Sequence, residues 1–189
     1  SKVVTILGAG VQGREHLKLL PMVRNLEKIF IGSLYFEDAK QLAASHENAI
    51  PIDDFEAAVR QSDIVCLCSH SYKPIIEMGW VKPGTHISSV GYAPPEGELP
   101  KEIAQHHSLF VETRDAFEQP PVGCGELAGL DPDSGTELGE MLIGMWPGRI
   151  SDTEITVYKA MGIAMEDMVA ANLVYERANK EGVGAYIVL

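Results

Sequence analysis

The sequence predicts an α/β fold in which helices cover both faces of a mostly parallel sheet, the arrangement called doubly wound. Three observations support this prediction. Short strand-like stretches alternate with helical stretches along the chain as far as Glu112. A glycine-rich turn separates the first strand from the first helix. Residues 64–68 are apolar at every position, which is typical of a strand that is covered on both faces.

Six strands are predicted in the first part of the chain, at residues 3–7, 28–31, 50–52, 64–68, 86–90 and 109–112. Helices are predicted at residues 14–20, 36–45, 54–60 and 101–107, with Pro21 just past the first and Asp53 or Asp54 as the N-cap of the third. A loop rich in Gly, Pro and Asp follows at residues 119–135. Beyond it we expect a helix at 136–143, an extended segment at 155–158, a long helix at 165–180 and a strand-like apolar end at 185–189.

The composition is that of a globular protein, and it disfavours several classes of partner. The chain has 189 residues, of which 46% are hydrophobic and 22% charged, with a formal net charge of −12. This sign does not suit nucleic-acid phosphates or anionic lipid, so we expect neither nucleic acid nor membrane as a partner. No apolar run approaches the roughly 18 residues of a membrane span. Three cysteines are too few for a disulfide framework or a four-ligand zinc site, so we expect a cytoplasmic protein without a bound metal.

A glycine pattern stands where the first strand meets the first helix, in the order Gly8-Ala9-Gly10-Val11-Gln12-Gly13. In dinucleotide-binding folds of the Rossmann type, the first glycine permits a tight turn and the second lets the backbone approach a pyrophosphate. The third allows the helix to pack closely on the strand. The helix N-terminus adds free N–H donors and a positive dipole end. We therefore predict that Gly8, Gly10, Val11, Gln12 and Gly13 bind the pyrophosphate of NAD or NADP.

The choice between NAD and NADP is expected to depend on the end of the second strand. That stretch is Gly32-Ser33-Leu34-Tyr35, which has neither the acid that favours NAD nor the basic residue that favours NADP. The missing acid favours a 2′-phosphate held by Ser33 and backbone, but no guanidinium is present to support it. Both cofactors therefore stay open at this point.

Ser69 and His70 directly follow the fourth strand, at the carboxyl edge where an open α/β sheet binds its ligand. His70 is therefore a candidate contact to cofactor or substrate. Cys66 and Cys68 share one face of that strand, and we interpret them as small buried hydrophobic residues.

Three later stretches carry a family resemblance. They are residues 80–86 (WVKPGTH) leading into Ser89-Val90-Gly91, residues 137–140 (ELGE) with Pro147-Gly148-Arg149, and residues 156–167 (TVYKAMGIAMED). In order and spacing the chain resembles the ornithine cyclodeaminase and mu-crystallin family from Val3 to about Arg177. The resemblance implies a nicotinamide-binding domain, with Ser69, His70 and Gly91 on the nicotinamide side and Met161 and Gly162 lining the far wall.

The resemblance also implies a longer protein. Family enzymes carry an N-terminal substrate and dimerisation domain, which is missing from this sequence. We therefore expect residues 1–180 to be the dinucleotide-binding domain and residues 181–189 to be a tail that packs on the absent domain. The full-length protein is expected to be a homodimer, and the isolated part to bind cofactor without turnover.

Two departures from the family pattern bear on the reaction. The deaminase and the alanine dehydrogenases have an Asp two positions after the strand-end glycine, where this chain has Ala93, and a methyl group cannot transfer a proton. Glu96 and Glu98 are possible substitutes, although solvated loop carboxylates are the commoner case. Lys159 stands where the deaminase has an Asp and where imine reductases and mu-crystallin have a Lys. It is the candidate catalytic residue, and the alternative is a surface ion pair.

These departures favour reduction of small cyclic imino acids, of ketimine or pyrroline-carboxylate type, or oxidative deamination by an amino-acid dehydrogenase. The first alternative is an ornithine cyclodeaminase with a displaced catalytic acid. The second is a non-catalytic ligand-binding protein like mu-crystallin, because fold class alone does not decide function.

Overall fold

A computed structural model of the chain describes residues 1–185 and residue 187. Its strands are β1 Val3–Leu7, β2 Lys28–Gly32, β3 Ala49–Ile52, β4 Ile64–Leu67, β5 His86–Ser89, β6 Ser108–Val111, β7 Gly135–Glu137 and β8 Thr156–Lys159. They form one sheet in the order β3-β2-β1-β4-β5-β8-β6-β7. Every neighbouring pair is parallel. The predicted doubly wound α/β class is confirmed.

The α-helices in the described part of the chain are α1 Val11–Val23, α2 Phe36–Ala43, α3 Phe55–Gln61, α4 Lys101–His106, α5 Leu138–Leu142 and α6 Ala164–Glu181. Asp54 is the N-cap of α3, and its side chain accepts a hydrogen bond from the Ala57 N–H. The prediction that Pro21 lies past the first helix is wrong, because α1 continues through it to Val23. Proline removes one backbone donor, and because Pro21 stands two residues before the end of α1, the helix loses this one hydrogen bond near its C-terminus.

An apolar layer covers each face of the sheet. One layer includes Leu7, Val65, Leu67, Ile87 and Val157. The other includes Val4, Ile6, Ile29, Ile31, Cys66 and Cys68. Successive side chains of a strand point to opposite faces, so β1 and β4 contribute to both layers. Burial raises the pKa of the Cys66 thiol to about 12 and also raises that of Cys68. Both cysteines therefore pack as apolar residues, as the sequence indicated.

The last strand occupies a central position that chain order does not predict. β8 pairs with β5 on one side and with β6 on the other, and Lys159 lies opposite Ser89. Residues 135–137 form the edge strand β7, whereas the sequence predicted a loop up to 135 and a helix from 136. Three residues are too few to produce a recognisable alternation of apolar and polar side chains. The position of β8 brings Lys159 to the carboxyl edge of the sheet.

Helix α6 stands apart from the packed body. It confirms the long helix predicted near residues 165–180, but none of its residues is buried. The exposed apolar side chains include Met165, Met168, Leu173 and Tyr175. In the strand predicted at 185–189, residues 186, 188 and 189 lie outside the described residues, and residues 185 and 187 belong to no strand. No helix in the described part of the chain combines the length and apolar character that crossing a membrane requires.

Candidate functional site

The glycine turn lies at the carboxyl end of β1, which has β2 on one side and β4 on the other. From β1 the chain continues to β2 and β3 on one side of the sheet, and then crosses to β4 and β5 on the other side. Gly8 has a φ of 127°, and a Cβ there would lie 2.2 Å from the Cys68 carbonyl oxygen. A Cβ on Gly13 would lie 1.8 Å from the Gly8 carbonyl oxygen, whereas a Cβ on Gly10 would meet no atom within 4 Å. The fold thus requires glycine at positions 8 and 13, and the space beside Gly10 is open.

The N-terminus of α1 faces this turn. Gly10 caps the helix without a side-chain hydrogen bond, and the first turn contains no acidic residue. The first N–H groups of a helix have no intrahelical acceptor, and together with the helix dipole they favour an anion. The predicted pyrophosphate contacts Val11, Gln12 and Gly13 therefore lie at a helix end that suits a phosphate.

A cleft of about 830 Å³ lies between α1 and α2. Its lining includes Ala9, Gly10, Arg14, Lys18, Ser33, Asp38 and His46. The structure thus places the predicted ribose contact Ser33 in one cleft with Gly10. It also corrects the expectation that no guanidinium is available, because Arg14 lines the same cleft. Arg14 and Ser33 are 19 positions apart in the sequence, and only the fold brings them into one cleft.

A buried carboxylate joins the ends of β4 and β5. Glu98 is 1% exposed. Its Oε2 accepts hydrogen bonds from the Ser69 N–H at 2.7 Å and the Ser69 hydroxyl at 2.6 Å. Its Oε1 accepts from the Gly91 N–H at 2.7 Å and the Ser89 hydroxyl at 3.0 Å. The interpretation of Glu98 as a solvated loop residue is therefore wrong, and the predicted nicotinamide contacts Ser69 and Gly91 share one partner.

Lys159 is fully buried at the same edge. Its Nζ lies 2.5 Å from the Gly91 carbonyl oxygen, 2.9 Å from Glu126 Oε1 and 3.2 Å from Ser89 Oγ. The exposed fractions of the Lys159 and Glu126 side chains are 0% and 2%, so the surface ion pair considered for Lys159 is wrong. An ammonium group has three donors. All three of them have acceptors within this chain.

A third carboxylate organises the turn after β8. Glu112 Oε2 accepts hydrogen bonds from the Met161 and Gly162 N–H groups, both at 2.7 Å. Its Oε1 accepts from the Tyr158 hydroxyl at 3.2 Å. Burial, reinforced by the Glu112 charge, raises the pKa of Tyr158, so the phenol remains a neutral donor. The two residues that the resemblance places on the far wall are held by this one side chain.

The other residues that the sequence singled out differ in their exposure to solvent. His70 is exposed, and its ring packs edge-on against Tyr72 at 5.8 Å between centroids. Ala93 is buried at 3% exposure, while Glu96 in the same loop is exposed. Sequence reasoning missed Glu112 and Glu126 altogether. No three His, Cys, Asp or Glu side chains among the described residues are grouped so that they would hold a metal ion.

This fold and this glycine turn define an α/β domain of the Rossmann dinucleotide-binding type. Residues 1–182 match the model of the ornithine cyclodeaminase/mu-crystallin family. The chain belongs to that family, which confirms the resemblance seen in the sequence.

Individual relatives agree with this assignment. The chain is 32% identical over 178 residues to mouse ketimine reductase mu-crystallin. Among solved structures, it is similar to Δ1-pyrroline-2-carboxylate reductase of Thermococcus litoralis in complex with NADH and L-proline, with 30% identity, a TM-score of 0.88 and 99% of this chain covered. An archaeal alanine dehydrogenase dimer with bound NAD is 28% identical, with a TM-score of 0.87 over 100% of this chain.

The chain corresponds to part of each relative. The match covers 93% of this chain but 55% of the mouse protein. It covers 61% of the T. litoralis enzyme and 61% of the alanine dehydrogenase.

Proposed function

We propose that this chain is the nicotinamide-dinucleotide-binding part of an oxidoreductase that reduces small cyclic imino acids, of ketimine or pyrroline-carboxylate type, or that acts as an amino-acid dehydrogenase. The observation that carries the proposal is the turn at residues 8–13, which opens beside Gly10 onto a cleft and onto a helix N-terminus that has no side-chain cap. Membership of a family whose solved relatives hold NADH or NAD supports it.

In this proposal, the two halves of the dinucleotide lie over the ends of different strands. Gly8, Gly10, Val11, Gln12 and Gly13 hold the pyrophosphate, and Ser33 holds the adenosine ribose. Ser69, His70 and Gly91 line one side of the nicotinamide site, and Met161 and Gly162 line its far wall. When bound, a reduced nicotinamide would supply the hydride that reduces the imine carbon of the substrate. This chain's residues bind and orient the dinucleotide for that transfer.

Titration with NADH tests the proposal directly. We expect NADH to raise the melting temperature of the wild-type chain, because a ligand that binds only the folded state stabilises it. Gly10→Arg should weaken NADH binding by at least about tenfold, because the new side chain fills the cleft where the pyrophosphate lies. The melting temperature without ligand should fall by about 4 °C at most, because a Cβ at Gly10 meets no neighbour within 4 Å and replacing an N-cap glycine costs less than about 1 kcal/mol.

Gly139→Arg is the matched control for that titration. A Cβ at Gly139 also meets nothing within 4 Å, and this residue lies on α5, away from the cleft. Its NADH affinity should equal that of the wild type. An unchanged NADH affinity in Gly10→Arg would contradict the proposed pyrophosphate site.

The cleft also supports a preference for NADPH. Arg14 has no side-chain hydrogen bond or ion pair within the described residues, and it lines the same cleft as Ser33. A free guanidinium and a hydroxyl that line the same cleft suit a 2′-phosphate. We expect wild type to bind NADPH more tightly than NADH in parallel titrations, and Arg14→Gln to lose about tenfold in NADPH affinity while NADH affinity stays within about twofold.

Lys18→Gln serves as the control for the Arg14 experiment. Lys18 lines the same cleft from the same helix, but its Nζ lies 3.6 Å from Glu15 Oε2. We expect it to affect NADPH binding less than Arg14→Gln does. A wild-type preference for NADH that persists in Arg14→Gln speaks for a 2′-hydroxyl, with Asp38 as its neighbour in the cleft.

The proposal extends to a second domain and a partner subunit. The exposed apolar side chains of α6 and the coverage of 55–61% of the relatives support a substrate domain against which α6 and residues 181–189 pack. The dimeric alanine dehydrogenase supports a homodimer of the full-length protein. The three free, buried cysteines support a reducing cytoplasm. On this proposal, the chain alone binds cofactor without turnover.

Assays of the longer protein separate the two alternatives from this function. Imine reduction with NAD(P)H supports the proposal, ammonia release from ornithine supports a cyclodeaminase, and the absence of both supports a ligand-binding protein. With Glu98 occupied by four donors, the exposed Glu96 is the loop carboxylate left for a displaced deaminase acid.

A further inference from the structure

Two buried side chains of opposite charge hold the peptide groups of Gly91. Glu98 Oε1 accepts from the Gly91 N–H at 2.7 Å, and Lys159 Nζ donates to the Gly91 carbonyl oxygen at 2.5 Å. The Ser89 hydroxyl connects the two charges, because it donates to Glu98 and accepts from Lys159. A Cβ on Gly91 would lie 2.2 Å from the Ser69 carbonyl oxygen, so the ends of β4 and β5 are in close contact here.

These contacts leave neither side chain available to a ligand. Glu98 is 1% exposed and accepts four hydrogen bonds, which uses the acceptor capacity of both oxygens. Lys159 is 0% exposed, and its three donors already have acceptors. A buried network with all its members satisfied holds its backbone in one arrangement.

We propose that Glu98 and Lys159 are positioning residues that hold the Gly91 peptide groups from opposite sides and thereby fix the surface on which the nicotinamide half of the dinucleotide lies. The inference rests on the proposed function. It assigns Lys159 an indirect role, since the lysine acts through Gly91 and Ser89 and does not touch the substrate. In an open α/β sheet the two halves of the ligand lie over different strand ends. The adenosine half lies over the ends of β1 and β2, whereas the hydrogen bonds of this network go to Ser69, Ser89, Gly91 and Glu126.

Comparing NADH with ADP-ribose tests the inference, because ADP-ribose keeps the pyrophosphate and adenosine but lacks the nicotinamide ring. We expect Glu98→Gln to weaken NADH binding by about tenfold, because its amide nitrogen replaces one of the two acceptor oxygens and so faces the N–H donor of either Ser69 or Gly91, which displaces that backbone. ADP-ribose affinity should stay within about twofold of wild type. The emission maximum of bound NADH should shift toward that of free NADH, which reports the surroundings of the ring itself.

Glu96→Gln is the matched control, since it makes the same chemical change at an exposed position of the same loop. It should change neither affinity. If Glu98→Gln does not fold, Ser89→Ala replaces it, because this variant removes only the hydroxyl between the two charges; we expect a smaller loss, about threefold, for NADH alone.

Equal losses for NADH and ADP-ribose, or no loss for NADH, in a folded variant overturn the inference while the proposed function stands. If the wild type binds neither ligand, the proposed function fails and the inference fails with it.

Discussion

Replacing Lys159 with methionine is expected to lower the free energy of unfolding by about 3–5 kcal/mol, because removing one partner of a buried ion pair leaves the other charge without compensation. Glu126, with a side chain 2% exposed, would keep a carboxylate that water does not reach. The Gly91 carbonyl oxygen would lose its donor as well. Urea unfolding followed by circular dichroism at neutral pH measures the change.

A double variant shows whether the loss comes from the unpaired charge. Apolar replacement of a whole buried pair is often neutral, so Lys159→Met/Glu126→Leu should recover most of the stability that Lys159→Met loses. A loss below about 1 kcal/mol in the single variant would be the value typical of an exposed pair. That outcome would contradict the burial of the Lys159–Glu126 pair.

Gly13→Ala is expected to destabilise the chain by roughly 3 kcal/mol, at the upper end of what overpacking costs. The new Cβ would lie 1.8 Å from the Gly8 carbonyl oxygen. Both atoms belong to or are attached directly to backbone, so no side-chain rotation relieves the contact. The turn at residues 8–13 must shift, and dinucleotide binding should fall together with the melting temperature.

Gly10→Ala is the matched control at the neighbouring glycine of the same turn. A Cβ there meets no protein atom within 4 Å, so stability should change by less than about 1 kcal/mol, the usual cost of alanine at a helix N-cap. Dinucleotide affinity should nevertheless fall, because the methyl group stands where the pyrophosphate approaches. A stability loss in Gly10→Ala as large as that in Gly13→Ala would contradict the different roles given to the two glycines.

The sequence predicts most of this fold because its signals are local. The strand at residues 64–68 and the helix after the glycine turn each follow from a continuous stretch of residues. The position of β8 does not, because its two neighbours, β5 and β6, are chosen by packing between distant parts of the chain. The end of α1 does not follow from the sequence for a different reason: Met22 and Val23, beyond Pro21, are exposed, so no buried position marks where the helix ends.

The candidate site also has one part that the sequence predicts and another part that only the fold reveals. The glycine turn is one short motif whose geometry each glycine explains, so it is visible in the sequence. Glu98 and Glu126 look like ordinary loop acids there, and burial gives them their roles. Glu112 stands at the end of a predicted strand, and its role comes from the hydrogen bonds that it accepts from the turn after β8. The sequence does not connect Arg14 with Ser33, because only the fold brings the two residues into one cleft. Resemblance pointed to Lys159, but the residues that occupy its three donors come from other segments of the chain.

The central place of β8 has a consequence for how the molecule is assembled during synthesis. The ribosome makes β6 and β7 well before Thr156–Lys159, yet only β8 connects that pair to the rest of the sheet. Until the last quarter of the chain emerges, β5 and β6 each have one unpaired edge, and such edges are open to wrong partners. The sheet is therefore complete only after β8, which carries Lys159, has inserted. Burial of the Lys159 ammonium group then requires that its acceptors on Glu126, Ser89 and Gly91 are already in place.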